Sequence, residues 1–362
     1  MAGARERGGG EGRGPAPGIG STEALARHLG LSRWTVSRVL NGHGGVRAET
    51  EERVLRAVRE SGFEPNPFAR SLRGAATGTV GVCIQELDSP SLSRKAGSLQ
   101  AFFREQGFRC LLELTNRDRA LEEKVLRHFL ALRVEGIIGI GSRLAPGSEL
   151  DGELRGTGIP VVMVDPETDL SFPTVEVDRA GATESMLGLL RAEGHRSFGF
   201  AGFDPDYRYS AKRLEGAARF FRGREDQRLW SVFEPGTVRH DYEYGVRLGD
   251  AALAEGRMPT AVLAVNDRVA IGLSGALRRA GWTVPDEVAV VGHDNLGIAA
   301  HVEPALTTVD QRSDELMKTA ARVLLDWRNG GRPPDRALLL PTGLVVRESH
   351  RFPSGRTGRA GT

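Results

Sequence analysis

The sequence predicts an α/β protein in which an N-terminal helix-turn-helix domain precedes a two-lobed core of doubly wound parallel sheets. Residues 21–61 repeat apolar side chains at helical spacing around a glycine turn, whereas residues after 78 alternate short β-rich runs with helical stretches. The whole chain has a net charge of +2, but residues 21–73 hold nine Arg and six Glu. A small basic module on a neutral body favours a polyanionic partner for that module alone.

The composition excludes several classes of protein. Hydrophobic residues make up 40% of the 362 residues and charged residues 27%, as in globular proteins. No apolar run approaches the roughly 18 residues of a membrane helix, so no membrane partner is expected. Cys83 and Cys110 stand in no CxxC or Cys/His cluster, and the eight His are not at metal spacing. We therefore predict neither a metal nor a cofactor, and no enzyme, since GxxxxGK[ST], GxSxG, HExxH and GxGxxG are all absent from the sequence.

Both ends of the chain are predicted to be disordered tails. Residues 1–18 are rich in Gly, Arg, Pro and Glu and contain no apolar segment of a secretion signal, which favours a cytoplasmic location. Residues 351–362 form a second Gly/Arg-rich stretch, without heptad repeats.

The first two predicted helices have clear start and turn signals. Ser21 can cap the first helix and Ser32 the second, because a short hydroxyl satisfies free backbone N–H groups. Gly30 stands between them, where a tight turn requires a positive φ. Val36 and Leu40 share one face of the second helix. This spacing predicts a helix-turn-helix.

A third helix is predicted over residues 48–61, with Val54, Leu55 and Val58 as its apolar face. A generic three-helix bundle is the alternative interpretation of this segment. Against that alternative, Trp34 lies off the apolar face of the second helix and stands between Arg33 and Arg38. A large exposed aromatic beside two Arg is difficult to explain by packing alone.

If the segment is a helix-turn-helix, the first turn of its second helix faces base edges in the major groove. Arg33 and Arg38 carry the fork of donors that reads guanine. Thr35, Ser37 and Asn41 are short donors suited to phosphates.

Two motifs are similar to those of a known family. Residues 32–41 (SRWTVSRVLN) resemble the TVSRVLN recognition helix of the lactose-repressor/galactose-repressor (LacI/GalR) family. Residues 62–72 (GFEPNPFARSL) resemble that family's hinge segment, GYxPNxxARSL. The sequence departs from the pattern at Arg47, where a Ser usually caps the third helix, at Pro67, which adds a proline to the hinge, and in the first helix, which lacks the IxDVA opening.

The resemblance implies a set of DNA contacts. Base contacts are expected from Arg33, Trp34, Arg38 and Leu72, and backbone contacts from Ser32, Thr35, Ser37, Asn41 and Asn66. Residues 66–73 would form a hinge helix only on DNA, where two copies would pair in the minor groove and Leu72 would wedge into a base step. Without the family, this segment is simply a Pro-bounded linker with a short amphipathic piece.

The remaining residues are predicted to form two lobes. Nine candidate strands alternate with helices, too many for one ordinary sheet, and ligands bind at the carboxyl ends of such strands. The resemblance continues here with residues 158–165, 193–196, 213–216, 265–267, 290–295, 306–308 and 344–349, and implies a core like periplasmic sugar-binding proteins. The predicted domains are 19–64 for DNA binding, 65–77 for the hinge and linker, and 78–350 for the core. Within the core, lobe 1 comprises about 78–177 and 309–338, and lobe 2 about 178–308 and 339–350.

The resemblance also assigns effector-binding residues to the cleft between the lobes. They are Ser91, Leu92, Asp165, Arg213, His240, Asn266 and Asp294. Arg213 would hold ligand hydroxyls with its donors, Asp294 would accept from two hydroxyls, and Asn266 could do both. Ser91 and Leu92 replace the family's usual Phe pair, and His240 falls where an aromatic often stacks on the ligand. These changes favour a small polar effector.

The predicted function is a sequence-specific transcription regulator, a repressor by family analogy, that binds double-stranded DNA as a homodimer at a palindromic operator. A small molecule, expected to be a sugar, would control its DNA affinity. The alternatives are a regulator of the same family that senses a nucleobase or nucleoside, a non-regulatory sugar-binding protein, and a carbohydrate-active enzyme, such as a sugar kinase, with a regulatory DNA-binding domain.

Overall fold

The computed structural model describes residues 20–40, 44–61, 63, 76–224, 228–236 and 240–352. These residues divide into two compact units, one ending at Gly78 and the other beginning at Thr79.

The first unit contains helices α1 (Thr22–Leu29), α2 (Arg33–Leu40) and α3 (Ala48–Ser61). The Ala24 N–H donates to the Ser21 hydroxyl at 3.0 Å, so Ser21 caps α1 as the sequence predicted. Gly30 ends α1 with a φ of +63°, the left-handed conformation that glycine adopts without strain. The predicted helix-turn-helix is therefore present.

The core of this unit differs slightly from the predicted one. Leu25, Val36 and Val54 are fully buried, as expected from their helical spacing. Leu55 is 38% exposed, and the prediction that it belongs to the apolar face of α3 is wrong. Ala57 is buried instead, because positions three residues apart, such as Val54 and Ala57, share one face of a helix.

The second unit begins with a six-stranded parallel sheet. Its strands are β1 (Thr79–Ile84), β2 (Arg109–Leu114), β3 (Ile137–Ile140), β4 (Val161–Val164), β5 (Thr174–Val177) and β11 (Leu338–Leu340), in the order β11-β5-β4-β3-β1-β2. Helices α4 (Pro90–Glu105), α5 (Arg119–Ala131), α6 (Glu149–Gly156) and α11 (Ser313–Arg328) cover it. In β1, Val82 and Ile84 pack against α4 and α11, whereas Cys83 packs against α5 and α6. Helices thus lie on both faces, which makes this first lobe doubly wound.

A four-stranded parallel sheet forms the second lobe. It contains β6 (Ser197–Ala201), β7 (Arg228–Val232), β8 (Ala261–Ala264) and β9 (Ala289–Val291), in the order β7-β6-β8-β9. Its helices are α7 (Arg179–Ala192), α8 (Arg208–Phe221), α9 (Tyr242–Glu255) and α10 (Asp267–Arg279). They pack as the pairs α7–α8 and α9–α10 and share one hydrophobic cluster with the sheet. Two doubly wound lobes confirm the predicted fold class.

An antiparallel ribbon of β10 (Thr308–Asp310) and β12 (Gly343–Val345) lies in the segments that connect the two lobes. The predicted lobe limit at 338/339 is corrected by β11, which pairs over all of its residues with β5 of the first lobe. The C-terminal tail prediction is also corrected at its start, because the Phe352 ring packs edge-on against His195 with centroids 5.0 Å apart. The rest of that tail and the N-terminal tail (1–18) lie outside the described residues.

Candidate functional site

The carboxyl ends of the two parallel sheets border one cleft between the lobes. Gln85 follows β1 and Asp165 follows β4 on one side, while Asn266 and Asp294 follow β8 and β9 on the other. All seven residues predicted to bind the effector line this cleft: Ser91, Leu92, Asp165, Arg213, His240, Asn266 and Asp294. Parallel sheets bring together the residues after their strands, which explains how positions over 200 residues apart in the chain meet here.

Asp165 forms a buried charge cluster on the first-lobe side. Its carboxylate accepts from the Lys95 ammonium at 2.9 Å, from the Arg179 guanidinium at 2.7 Å and from the Val177 N–H at 3.1 Å. Burial opposes its ionisation, but Arg179 and Lys95 outweigh burial and hold the pKa of Asp165 well below its usual range. The residue is therefore an anchor for two cations, with little capacity left for a ligand.

A second charge cluster surrounds Glu167. Its carboxylate accepts from Gln85, from the Tyr207 hydroxyl at 3.1 Å and from Arg117 at 3.4 Å. Tyr207 belongs to the second lobe, so this carboxylate joins the two lobes. Burial, with the charge of Glu167, raises the pKa of Tyr207 to about 12, and the hydroxyl remains a donor at neutral pH.

Arg213 and Asp294 face the cleft from the second lobe, and His293 lies between them. The Arg213 guanidinium donates to Nδ1 of His293 at 3.3 Å, and this nitrogen lies 3.2 Å from the Asp294 carboxylate. Gln311 donates to the same carboxylate. Burial and the neighbouring Arg213 lower the pKa of His293 to about 4, so its ring is neutral at pH 7.

The motif RLEG at residues 213–216 positions Arg213 through a close helix contact. A Cβ on Gly216 would lie 2.2 Å from the carbonyl oxygen of Ala180, so only glycine lets α8 approach α7 this closely. Arg213 lies one turn before Gly216 on the same helix face, and α7 begins at Arg179. The packing of α7 and α8 thus brings two arginines to one side of the cleft.

Asn266 and His240 interact with each other. The Asn266 side chain accepts from the Val269 N–H at 2.8 Å, which caps α10, and donates to the His240 carbonyl at 2.9 Å. The His240 ring lies edge-on to Tyr207 with centroids 5.6 Å apart. Burial and the nearby arginines, Arg117 foremost, lower the pKa of His240 to about 4. Much of the hydrogen-bonding capacity of Asn266 is used inside the protein.

Ser91 and Leu92 lie in the first turn of α4, and both are half-buried. Leu92 also packs against the hydrophobic cluster of the first lobe. Its role is therefore divided between the core and the cleft.

Salt bridges at the edge of the cleft connect the lobes. Arg208 of α8 contacts Glu176 of β5 at 3.0 Å and Asp169 at 2.8 Å. Lys212, one turn further along α8, pairs with the same Glu176 carboxylate. These contacts hold the N-terminal end of α8 against the first lobe.

On the first unit, α2 presents a basic and aromatic face. Arg33 is exposed, and Trp34 is 64% exposed. The Arg38 guanidinium stacks over the Trp34 ring, 4.9 Å from its centroid, and donates to the Gly44 carbonyl. Three of the four residues predicted to contact bases thus lie together on one helix.

Ser32 caps α2, because its hydroxyl accepts from the Thr35 N–H at 3.0 Å. The Ser32 and Thr35 hydroxyls are also hydrogen-bonded at 2.8 Å. Ser37 lies one turn later on the same helix. Asn41, Asn66 and Leu72, the other predicted DNA contacts, lie outside the described residues, as does most of the hinge (65–77).

Comparison with known proteins identifies the family. Residues 24–66 match the model of bacterial regulatory proteins of the lacI family, and residues 187–350 match a periplasmic binding protein-like domain. The HTH-type transcriptional regulator reg1 of Streptomyces lividans is 30% identical over 341 residues, which cover 92% of this chain and 98% of the relative. The chain belongs to the LacI family.

Solved structures have the same fold as this LacI-family regulator. The lac repressor dimer bound to operator and the anti-inducer ONPF is 24% identical, with a TM-score of 0.79, covering 91% of this chain and 98% of that one. The regulator CelR in complex with cellobiose is 27% identical, with a TM-score of 0.64, covering 91% and 99%. The family and fold predictions are confirmed, as is the prediction of a DNA-binding regulator that is not an enzyme.

The described residues of this LacI-family regulator contain neither a membrane-spanning helix nor a cluster of metal-binding side chains. Among helices within the described ranges, none is long and apolar enough to cross a membrane. Within the same part of the chain, no group of three or more His, Cys, Asp or Glu side chains could hold a metal ion.

The motifs of this LacI-family regulator did not reveal several residues that organise the cleft. They are Lys95, Arg117, Glu167, Arg179, Tyr207 and Gln311. Most of them stand within three residues of a strand end, so the rule that places ligands at the carboxyl ends of parallel strands could have found them. Lys95 lies inside α4, and no sequence signal marks it.

Proposed function

We propose that this protein is a cytoplasmic repressor that binds a palindromic operator as a homodimer and is controlled by a sugar bound between its lobes. The single observation that carries the proposal is the cleft, where all seven predicted effector residues meet at the carboxyl ends of both sheets. The DNA-binding role of the other unit is supported by the exposed Arg33 and Trp34 and by Arg38 beside them.

The palindromic operator follows from the size of one recognition helix. A single helix such as α2 reads only a half-site, and two-fold symmetry of a dimer matches two half-sites about one helical turn apart. The lac repressor, whose structure was solved as a dimer on its operator, supports this arrangement by analogy. Arg33 and Arg38 would then read bases, and Ser32, Thr35 and Ser37 would contact phosphates.

A sugar is favoured as the effector because the cleft offers many polar groups and little free aromatic surface. Arg213 and Asp294 each have capacity for hydroxyl groups. CelR, a relative of similar length, was solved with cellobiose. The Tyr209 ring is covered by the Arg179 guanidinium at 4.4 Å, so this face is closed to a stacking base. A purine effector is therefore the less favoured alternative.

Control of DNA binding would operate as a population shift. A ligand that contacts both lobes stabilises one relative arrangement of the lobes more than another. The change in DNA affinity that it causes is limited by the difference between its affinities for these arrangements. Salt bridges such as Arg208 to Glu176 already link the lobes, so ligand binding would act on an existing set of contacts.

The test is a pull-down of sheared genomic DNA of the source organism with purified full-length protein, followed by sequencing, at a fixed salt concentration near 0.15 M. We expect a sharp palindromic site that is lost with Arg38→Ala and retained with Arg59→Ala, which removes an equal charge from the end of α3. Equal enrichment of all sequences by the wild-type protein would refute the proposal.

The effector part is tested on the operator fragment so identified. Candidate sugars are added to the complex, and its dissociation constant is measured with and without Arg213→Ala or Asp294→Ala. We expect both variants to keep operator binding and to lose the response to the sugar. An unchanged response in both variants would move the ligand site away from this cleft.

A further inference from the structure

Arg213 is a buried cation without a carboxylate partner. Its side chain is only 6% exposed, and its described hydrogen bond goes to His293, which is neutral at pH 7. The Nε atom of Arg213 is buried and has no hydrogen-bond partner among the described residues. A buried charge without a counter-ion is strongly unfavourable, so its presence calls for an explanation.

The neighbouring groups reinforce the positive charge. Burial and the adjacent Arg179 lower the pKa of the Arg213 guanidinium to about 10, which still leaves it charged at neutral pH. Arg268, in the first turn of α10, also lines the cleft, and no carboxylate of the described chain lies within ion-pair distance of it. Two arginines of the second lobe therefore face the cleft without a counter-ion.

The charges around the whole cleft do not balance. Its cations are Lys95, Arg117, Arg179, Arg213 and Arg268, and its carboxylates are Glu86, Asp165 and Asp294. The carboxylate of Glu167 and the guanidinium of Arg143, which pair just outside, leave this difference unchanged. An excess of two positive charges remains even when Asp294 is counted.

The other cations of the cleft are already paired. Lys95 and Arg179 share Asp165 at 2.9 and 2.7 Å, and Arg117 lies between Glu86 and Glu167 at 3.3 and 3.4 Å. The two cations that share Asp165 keep one positive charge, which the Asp294 carboxylate offsets in the sum. Arg213 and Arg268 are the cations of the cleft that contact no carboxylate of the described residues.

We infer that the effector carries an anionic group, a carboxylate or a phosphate, which pairs with Arg213 and Arg268 and reduces the excess positive charge of the cleft. This inference rests on the proposed function and narrows its ligand class from sugars in general to anionic sugar derivatives. Asp294, held by Gln311, remains available to accept from hydroxyl groups of the same ligand. A guanidinium fork binds both oxyanions in bidentate geometry.

The test compares neutral and anionic probes on the full-length protein at constant ionic strength. Thermal unfolding and calorimetric titration are measured with glucose, glucuronate, glucose 6-phosphate and inorganic phosphate. We expect the anionic probes to raise Tm and glucose to have a smaller effect at equal concentration. The carboxylate and phosphate probes distinguish the two sources of negative charge.

Two variants and a control assign the effect to Arg213. Arg213→Met should weaken binding of the best anionic probe by roughly 30-fold or more, since truncating one partner of a buried charge pair is strongly unfavourable. Arg213→Lys, which keeps the charge, should restore part of that binding. Arg104→Met, at an exposed position on α4, should bind like the wild type.

Stability without ligand gives an independent readout. If Arg213 awaits an anion, Arg213→Met removes an unpaired buried charge, and the Tm of the ligand-free protein should stay the same or rise. A lower Tm together with unchanged probe binding would mean a purely structural role and would overturn the inference. Equal binding of neutral and anionic probes would also overturn it, while release of the operator by a neutral sugar would leave the proposed function intact.

Discussion

The DNA-binding face and the interlobe cleft use similar side chains in different ways. On α2, Arg33 and Trp34 extend into solvent, and Arg38 contacts Trp34 and Gly44. In the cleft, Asp165 and Arg179 are at least 96% buried and bind each other. Function on α2 is therefore separable from stability, whereas in the cleft the residues that would meet a ligand also hold the lobes in shape.

The largest expected effect follows from breaking the Asp165 cluster. Asp165→Asn leaves Lys95 and Arg179 buried without their carboxylate, so the free energy of unfolding should fall by about 3–5 kcal/mol. Urea unfolding at pH 7 measures this change. Asp169→Asn is the matched control, because the exposed Asp169 carboxylate also pairs with an arginine, Arg208, and should contribute little. Equal stability of the two variants would contradict the described cluster.

The same comparison has a pH dependence of defined sign. The pKa of Asp165 is lower in the folded protein than in the unfolded chain, where it is about 3.9. Its stabilising contribution is therefore fully present above pH 4 and is lost as the pH falls below that value. The difference in stability between the wild type and Asp165→Asn should shrink in acid.

On the DNA-binding face, Arg38→Ala should act on affinity and leave stability nearly unchanged. Loss of one bidentate base contact costs roughly 1–3 kcal/mol, or about 5- to 150-fold in the dissociation constant for the operator. Fluorescence anisotropy with operator and random DNA measures both affinities. Arg59→Ala is the control for the lost charge. If Arg38→Ala lowered affinity for both DNAs equally, Arg38 would contact phosphates rather than bases.

The buried Asp267 carboxyl of the second lobe should also make the free energy of unfolding depend on pH. Its carboxylate is fully buried, accepts from Thr308 and from the Leu296 N–H at 2.7 Å, and has its pKa raised to about 7 by burial and by Asp294. A carboxyl group whose pKa is raised on folding stabilises the folded protein most when the pH is below the pKa of the unfolded chain, about 3.9. This stabilising contribution is lost as the pH rises through 7.

The measurement compares the wild type with Asp267→Asn. Between pH 5 and 7, the unfolding free energy of the wild type should fall relative to that of Asp267→Asn as the pH rises. The expected change is up to about 1.4 kcal/mol per pH unit. Buried histidines such as His293 oppose this slope, but they are present in both proteins and cancel in the difference. Parallel curves would mean that Asp267 is ionised throughout this range.

Much of the fold was predictable from the pattern of apolar residues within each element. The elements that were missed have a weak pattern of this kind. The nine predicted strands match observed strands to within a residue or two. Most of them belong to the two parallel sheets, where buried strands are continuous apolar runs. Strands β11 and β12 have only three residues each, β7 lies at the sheet edge with exposed Leu229, and α6 contains Gly152 and Gly156. Such short or glycine-containing elements depend on tertiary contacts more than on their own pattern.

The site was predictable to a different degree in its two parts. Ser32 caps α2 and Trp34 lies in its first turn, so a motif of ten residues contains their whole arrangement. In the cleft, the motifs gave Asp165 and Arg213 but not Lys95, which meets Asp165 across 70 residues of chain. Whether a side chain of the cleft still has hydrogen-bonding groups free for a ligand depends on partners that are distant in the sequence. Asn266, for example, lines the cleft but is largely engaged by Val269 and His240.

Ser32 is the residue of the DNA-binding face at which stability and function are combined. Its hydroxyl caps α2 through the Thr35 N–H and is also predicted to contact the DNA backbone. Ser32→Ala should reduce the free energy of unfolding of this unit by about 1 kcal/mol, and Ser32→Gly by only a few tenths, because glycine is tolerated at a cap. Both variants lose the hydroxyl, so a phosphate contact predicts equal losses of affinity for operator and random DNA. If affinity instead followed stability, with Ser32→Gly close to the wild type, Ser32 would act on DNA only by holding the first turn of α2, where Arg33 and Trp34 lie.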